Sequence, residues 1–270
     1  MVLPLYVQGA WFIGALLFIF GLKGMSSPVS AREGIVWAGY GMVLAIAGTL
    51  LIPDLKNIGL IFAALGVGGA AAWISGKKVQ MTDMPQMVAI YNGMGGGAAA
   101  AIAAIEFARG EAHSPVTLTL GALGALIGSV SFSGSCIAFA KLQGLLDKPY
   151  RLPAQNTVNV VLAVIAVMLG AIMVIMAPAH PALILLFFSV ALVLGVIVTL
   201  PIGGADMPVV ISLFNAFTGL AVGFEGYVQG NPALIIAGIV VGAAGTLLTQ
   251  LMAKAMNRPI SNILFTPMVA

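Results

Sequence analysis

The chain consists of long apolar runs separated by short polar breaks. A helix needs about 20 apolar residues to span the hydrocarbon core of a bilayer. Runs of that length are frequent, and no segment alternates apolar and polar residues as the strands of a membrane β-barrel do. The runs cover residues 4–22, 35–52, 57–76, 85–107, 117–140, 157–177, 181–200, 208–228 and 232–256. The pattern predicts an all-α integral membrane protein, a bundle of about nine transmembrane helices with short loops.

Composition identifies the solvent of these helices. Of the 270 residues, 61% are hydrophobic and only 7% are charged, whereas a soluble domain carries about 25% charged residues. Because so few polar groups cannot cover a water-facing surface, the chain is expected to lie in a lipid bilayer. The net charge of +3 is too small to indicate a nucleic-acid partner.

The basic residues predict the orientation in the bilayer. Of the 11 Lys and Arg residues, nine fall in alternate loops and the C-terminal tail, and only Lys56 and Arg109 fall in the other loops. Cytoplasmic loops are enriched in basic residues. We therefore predict that the N-terminus lies outside and the C-terminus in the cytoplasm, or in the matrix of an organelle, and we name the outer and inner ends of the helices in this sense.

One polar motif occurs twice in this apolar chain. Asp-Met-Pro begins at Asp83 and again at Asp206, and an Asn follows nine residues after each Asp, at Asn92 and Asn215. Both motifs begin a predicted helix at the inner face, and the next helix in each case contains a GxxxG pattern. Small residues with this spacing let membrane helices pack closely. The constant offset of 123 residues predicts a parallel internal repeat.

Each part of this motif has a structural and a functional interpretation. Asp before Pro is typical of a helix start, because the acidic group interacts with the positive end of the helix dipole. The Asn residues lie about 13.5 Å along their helices, near the middle of a ~30 Å core, where an amide must find a partner. They form either an interhelical hydrogen bond or part of a polar relay. Ser129 and Ser133 share a helix face at a spacing of four residues and are candidates to meet the Asn helices.

The other polar residues form no recognisable catalytic or metal site. Glu106 and Glu225 come near the outer ends of predicted helices, where anchoring at the interface is expected. Glycine clusters at 66–69 and 93–97 imitate a dinucleotide-binding turn, but they lie inside spans, where close helix packing explains them better. Because the sequence shows no metal-ligand cluster and no nucleophile–base pair, we expect neither a catalytic residue nor a metal site.

Three stretches carry a resemblance to a known family: KKVQMTDMPQMVAI, IGGADMPVVISLFNAFTG and KAMNRPI. They are similar to the membrane domain of the β subunit of proton-translocating NAD(P) transhydrogenase, and the resemblance extends over essentially the whole chain. It implies part of an enzyme that couples inward proton translocation to hydride transfer from NADH to NADP⁺. Residues 1–258 are then the transmembrane proton-translocation domain, and residues 259–270 begin the linker to an NADP(H)-binding domain that this chain lacks.

The resemblance also implies roles for single residues. Asn215 and Asp206 match family positions implicated in proton movement, and Arg258, with Lys254 one turn before it, matches the junction to the NADP(H)-binding domain. Asn92 stands where some bacterial relatives have His, so the resemblance implies that a His on an α-subunit helix replaces it as proton carrier. The residues expected on the proton path are Asn92, Asn215, Asp206, Asp83, Ser129 and Ser133.

Partners and cofactors follow from the same resemblance. The implied partners are the lipid bilayer, transhydrogenase α subunits with their membrane helices, the C-terminal NADP(H)-binding domain and a second copy in a homodimer of the assembled enzyme. NADP(H) and NAD(H) are expected on other domains, so this chain alone should bind no cofactor and lack the hydride-transfer site. The implied location is a bacterial inner membrane, crossed several times. From the residues alone, a stand-alone secondary transporter and a structural membrane subunit stay open as alternatives.

Overall fold

The computed structural model describes residues 3–53, 55–110, 114–146 and 148–265. Within these ranges, nine helices are long and apolar enough to cross a membrane, and no strand is present, as the sequence predicts. They are α1 (Leu5–Met25), α2 (Ala31–Leu50), α3 (Ile58–Lys78), α4 (Met84–Arg109), α5 (Pro115–Leu142), α6 (Gln155–Ile175), α7 (Pro181–Thr199), α8 (Met207–Val228) and α9 (Pro232–Ala255). The short helix α10 (Ile260–Phe265) follows, and 3₁₀ turns at Met81–Asp83 and Gly204–Asp206 precede α4 and α8.

Proline and capping side chains fix where several helices begin. Helices α4, α5, α7, α8 and α9 carry Pro in the first turn, where its missing N–H breaks no hydrogen bond. Ser114, His180 and Asn231 accept hydrogen bonds from first-turn N–H groups of α5, α7 and α9. Asp83 and Asp206 occupy the cap positions of α4 and α8 but make no side-chain cap hydrogen bond. The two Asp carboxyl groups are therefore free for other partners.

Residues 1–81 form one compact unit, which contains α1, α2 and α3. Helices α1 and α2 pack closely through glycine, since a Cβ added at Gly21 would lie 2.8 Å from the carbonyl oxygen of Gly34. Trp11 Nε1 donates a hydrogen bond to Thr49 Oγ1 at 3.1 Å and joins the same two helices at their other end. Helix α3 has no buried residue within this chain.

Residues 82–270 form the second unit, whose described part contains α4 to α10. Helix α5 packs against α4, α6, α7 and α8, and α8 packs against α4, α5 and α9. Helices α5 and α8 are the most buried of the described spans in this unit. Polar residues on these two helices are therefore held in the interior.

Two apolar clusters hold the second unit together. The inner cluster includes Ile202, Met207, Val210, Phe214 and Ile263, and the outer cluster includes Phe107, Met173, Ile184 and Phe187. Helix α9 ends at Ala255, Asn257 follows with a positive φ of 53°, and Pro259 directly precedes α10, where proline is tolerated. Ile263 of α10 is 1% exposed, so the segment after α9 is fastened to the inner end of the bundle.

Helices α4 and α8 share local features that match the predicted repeat. Each begins after a 3₁₀ turn that ends at the Asp, and each packs on the glycines of the next helix. A Cβ at Gly96 would lie 2.9 Å from the carbonyl oxygen of Gly128, and one at Gly219 would lie 2.5 Å from the backbone nitrogen of Gly242. The relation of the two halves by an axis, and the orientation in the bilayer, stay predictions.

Candidate functional site

Most of the buried polar side chains of the second unit lie along α8 or on helices that face it. Asp206, Ser212, Thr218 and Glu225 are each 8% exposed or less. At 1.5 Å per residue, the row from Asp206 to Glu225 is about 28.5 Å long, close to the ~30 Å of a hydrocarbon core. Helix α8 thus carries polar groups along the whole length of a membrane span.

Four polar side chains from three helices meet at the middle of this row, and we name them the central polar cluster: Asn92, Ser131, Ser135 and Thr218. Asn92 Nδ2 donates to Ser135 Oγ at 2.9 Å and to Ser131 Oγ at 3.4 Å. Ser131 Oγ lies 2.6 Å from Thr218 Oγ1 and donates to the carbonyl oxygen of Phe214 at 2.9 Å. Asn92 Oδ1 is buried and has no hydrogen-bond partner among the described residues. The cluster therefore joins α4, α5 and α8 and retains one acceptor that no described residue uses.

Ser129 and Ser133, which the sequence placed against the Asn helices, lie on another face of α5. Ser133 Oγ donates to the backbone carbonyl of Ser129 at 3.0 Å and faces Gly195 of α7. Ser131 and Ser135, with the same four-residue spacing, occupy the face that meets Asn92. Which of the two serine pairs faces Asn92 depends on how α5 is rotated about its axis, and tertiary packing sets that rotation. A role of Ser129 and Ser133 on a proton path stays a prediction.

Closer to the inner face, Ser212 of α8 and Thr249 of α9 form what we name the inner hydroxyl pair. Their hydroxyl oxygens are 3.0 Å apart, and both contact the carbonyl oxygen of Gly245. Asn215 is three residues from Ser212 and three from Thr218, so helix geometry places it one turn from each. Its side chain is partly exposed and makes no hydrogen bond within the described chain. Asn215 thus lies, unbonded, between the central polar cluster and the inner hydroxyl pair.

The inner end of the row is an ion pair. Arg258 Nη1 donates to Asp206 Oδ2, and the two side chains are 15% and 5% exposed, so the pair is largely removed from water. Asp206 Oδ1 is buried without a partner among the described residues. A hydrogen bond between two ionised groups is about twice as strong as one between neutral groups. The pair connects the start of α8 with the segment between α9 and α10.

The other two charged candidates make no such contact. Lys254 is exposed on α9, one turn before Arg258, and forms no ion pair within the described chain. Asp83 is partly exposed at the start of α4, and its side chain has no hydrogen bond or ion pair among the described residues. Their parts in coupling and in the proton path stay predictions.

The glycine clusters are the candidates for a dinucleotide-binding turn, and the acidic side chains for a metal site, among the described residues. Within them, no group of three or more His, Cys, Asp or Glu side chains could hold a metal. The glycine clusters at 66–69 and 93–97 lie inside α3 and α4, where the helix itself uses the backbone N–H groups. The dinucleotide-binding turn lies between a strand and the N-terminus of a helix, and no strand occurs in the described ranges.

Known proteins provide an independent comparison for these motifs. The family described as "NAD(P) transhydrogenase beta subunit" matches residues 7–270 of this chain. Two curated proteins from Rhodospirillum rubrum, both named "NAD(P) transhydrogenase subunit beta", are 40% identical to it over 273 residues. The match covers 95% of this chain and 57% of each relative, so the chain spans little more than half of their length.

Proposed function

The chain belongs to the NAD(P) transhydrogenase beta-subunit family, and we propose that it is the proton-conducting membrane part of an enzyme that couples inward proton translocation to hydride transfer from NADH to NADP⁺. The observation that carries the proposal is the row of buried polar groups along α8, which ends in the Asp206–Arg258 ion pair. A membrane helix that only packs against its neighbours has no need of polar groups along its whole length, since each is costly in hydrocarbon.

The row along α8 provides positions at which water and hydroxyl groups pass a proton on. A hydroxyl group both donates and accepts a hydrogen bond, and an amide has a donor and an acceptor end. Asn215 lies on the stretch of about 9 Å between Ser212 and Thr218. Because its amide is not used by a described residue, it is free to hold water between the central polar cluster and the inner hydroxyl pair.

The Asp206–Arg258 pair is the proposed link between proton movement and the rest of the enzyme. Arg258 stays charged, whereas a carboxyl group loses its charge when it gains a proton. Protonation of Asp206 therefore removes the charge that Arg258 contacts and weakens the pair. The contact between Asp206 and Arg258 is thus stronger when Asp206 is charged than when it is protonated. Coupling requires such a difference in contact free energy between two states.

The partners and cofactors belong to the same proposal. Asn92 does not titrate, and its Oδ1 atom has no described partner, which fits a proton carrier supplied by a His on an α-subunit helix. We propose that NADP(H) and NAD(H) bind to other domains of the full enzyme, as the family resemblance implies. We further propose the C-terminal NADP(H)-binding domain and a second copy of the assembled enzyme as partners. The chain is a multi-pass membrane protein, and we place it in a bacterial inner membrane.

The test is Asp206→Asn in the assembled enzyme, reconstituted in liposomes, with proton uptake and transhydrogenation measured over a range of pH. Asn keeps the shape and an acceptor for Arg258 but cannot titrate. We expect coupled turnover to fall by about 10²-fold, the lower end for a lost proton-transfer group. Asp83→Asn is the matched comparison and should reduce the rate less, because Asp83 lacks an ion pair in the described chain. An unchanged rate and pH profile in Asp206→Asn would contradict the proposal.

A further inference from the structure

Glu225, near the outer end of α8, is a buried acid that the path described so far does not use. It is 1% exposed, and neither carboxylate oxygen has a hydrogen-bond partner among the described residues. The sequence predicted that it anchors at the interface, but Gly124 of α5 makes room for it inside the bundle. A Cβ at Gly124 would lie 2.7 Å from Glu225 Oε1. A buried polar group left without a partner costs about 1–3 kcal/mol, so its presence requires a reason.

The Glu225 side chain lines a small cavity between α4, α5 and α8. The other polar side chains in its wall are Glu106 and Thr117, and the remainder, including Phe107 and Leu118, is apolar or glycine. Glu106 and Thr117 are partly exposed. Polar lining therefore leads from the outer face to the buried carboxyl group.

No basic side chain of the described residues bonds to Glu225. Apart from Glu106, none of the other described titratable side chains of α8 and the helices packed on it lines this cavity. They are Arg109 at the exposed end of α4, Tyr91 in the inner half of α4, Cys136 and Lys141 in the inner half of α5, Lys254 at the inner end of α9, Asp206 at the inner end of α8 and the exposed Tyr227. Glu111 and His113, which follow α4, are outside the described residues.

We propose that Glu225, with Glu106, is the site at which the proton path exchanges protons with water at the outer face. This inference rests on the proposed function. The buried Glu225 carboxyl group has no hydrogen-bond partner among the described residues and shares its cavity with a second carboxyl group, so it is suited to take up a proton there. In uptake, a proton from outer water forms an O–H bond with a carboxylate oxygen of Glu225. In release, that bond breaks, the proton passes inward to water, and the carboxylate is restored.

Glu225 is also well placed to deliver protons to the central polar cluster. Thr218 lies seven residues before it on α8, about 10.5 Å along the helix, and the gap passes the small residues Gly124 and Ala221, which lie against each other. The members of the cluster are Asn, Ser and Thr, which do not titrate near neutral pH. Glu225 thus gives the outer end of the row a carboxyl group that can carry a proton, as Asp206 gives the inner end one.

The experiment uses Glu225→Gln in the assembled enzyme, reconstituted with a known orientation. Coupled turnover is measured while the pH on the outer side is varied and the pH on the inner side is fixed. We expect the rate to fall at least about tenfold, below the usual range for a lost acid–base group, and to lose its dependence on outer pH. Dependence on inner pH should remain, because Asp206 is unchanged. Glu106→Gln should shift the outer-pH profile with a smaller fall in rate.

Two further variants separate proton exchange from shape. Glu225→Asp retains a carboxyl group and should keep the outer-pH dependence at a lower rate. Ser189→Ala, which changes an exposed serine of α7, should behave as wild type. A Gln variant with wild-type rate and outer-pH profile, or an Asp variant that behaves like the Gln variant, would overturn the assignment. If the wild-type enzyme translocates protons, either of these two results overturns only the assignment of Glu225 and leaves the proposed function intact. A wild-type enzyme that translocates no protons would overturn the assignment and the proposed function together.

Discussion

Helices α4 and α8 begin with the same Asp-Met-Pro triplet and carry Asn at the same distance from it, yet their polar groups have opposite surroundings. On α4, Asn92 is buried and bonded to Ser131 and Ser135, while Asp83 has no ion pair within the described chain. On α8, Asp206 is buried and paired with Arg258, while the Asn215 amide has no described hydrogen bond. The motif holds helices together in the first half and forms the proposed proton row in the second.

The difference arises from what the following helix supplies. Both α5 and α9 carry Ala-Lys within their last residues, at Lys141 and Lys254. The residue four positions after the Lys is Leu145 in the first case and Arg258 in the second. Lys141 Nζ instead donates to the backbone carbonyls of Leu200 and Ile202. Arg258 therefore gives the buried Asp206 carboxylate a cation, whereas the partly exposed Asp83 has no ion pair among the described residues.

The largest expected effect is on the ion pair that distinguishes α8. Arg258→Ala leaves the buried Asp206 charge uncompensated, which should lower the free energy of unfolding by about 3–5 kcal/mol. The measurement is thermal unfolding of the purified assembled enzyme. Adding Asp206→Asn should recover most of the loss, because the second change removes the charge. Lys254→Ala, which removes an exposed cation one turn earlier, should cost no more than about 0.5 kcal/mol. If Arg258→Ala and Lys254→Ala lowered the free energy of unfolding equally, the ion pair would not be the source of the stabilisation.

A smaller effect is expected where the two halves are alike. A Cβ at Gly219 would lie 2.5 Å from a backbone atom of α9, so Gly219→Ala must push α8 and α9 apart. Overpacking of this kind typically costs about 1–3 kcal/mol. Gly223→Ala is the matched control, since its Cβ would have no neighbour nearer than 3.7 Å. Gly96→Ala should resemble Gly219→Ala, and a harmless Gly219→Ala would show that this close approach does not hold the helices.

Much of the fold was predictable from the sequence, because a span is a local property. Apolar runs and first-turn prolines predict the nine spans of the described chain with ends within a few residues of those observed, except that α2 begins four residues earlier than predicted. The short helix α10 lies in the stretch that was predicted to be a linker. Asp206 and Arg258 were identified from motifs, but their contact joins residues 52 positions apart and depends on how α8 and α9 pack.

Two features of the candidate site could not be read from sequence. Ser129 with Ser133 and Ser131 with Ser135 have the same spacing, and an apolar helix surface gives no sign of which pair faces Asn92. Glu225 lies near a helix end, which predicts contact with interfacial water, but the glycine of a neighbouring helix lets it turn inward. Both depend on tertiary packing, which sequence periodicity does not report.

The most direct measurement of the central claim compares Asn215→Leu with Asn92→Leu in the assembled enzyme. Asn92→Leu removes two hydrogen bonds, each worth about 0.6 kcal/mol on average in a membrane, so it should lower the unfolding temperature. Asn215→Leu removes no described hydrogen bond and should leave stability unchanged while proton translocation in liposomes is lost. Wild-type translocation by a folded Asn215→Leu enzyme would contradict the assignment of the proton path to α8.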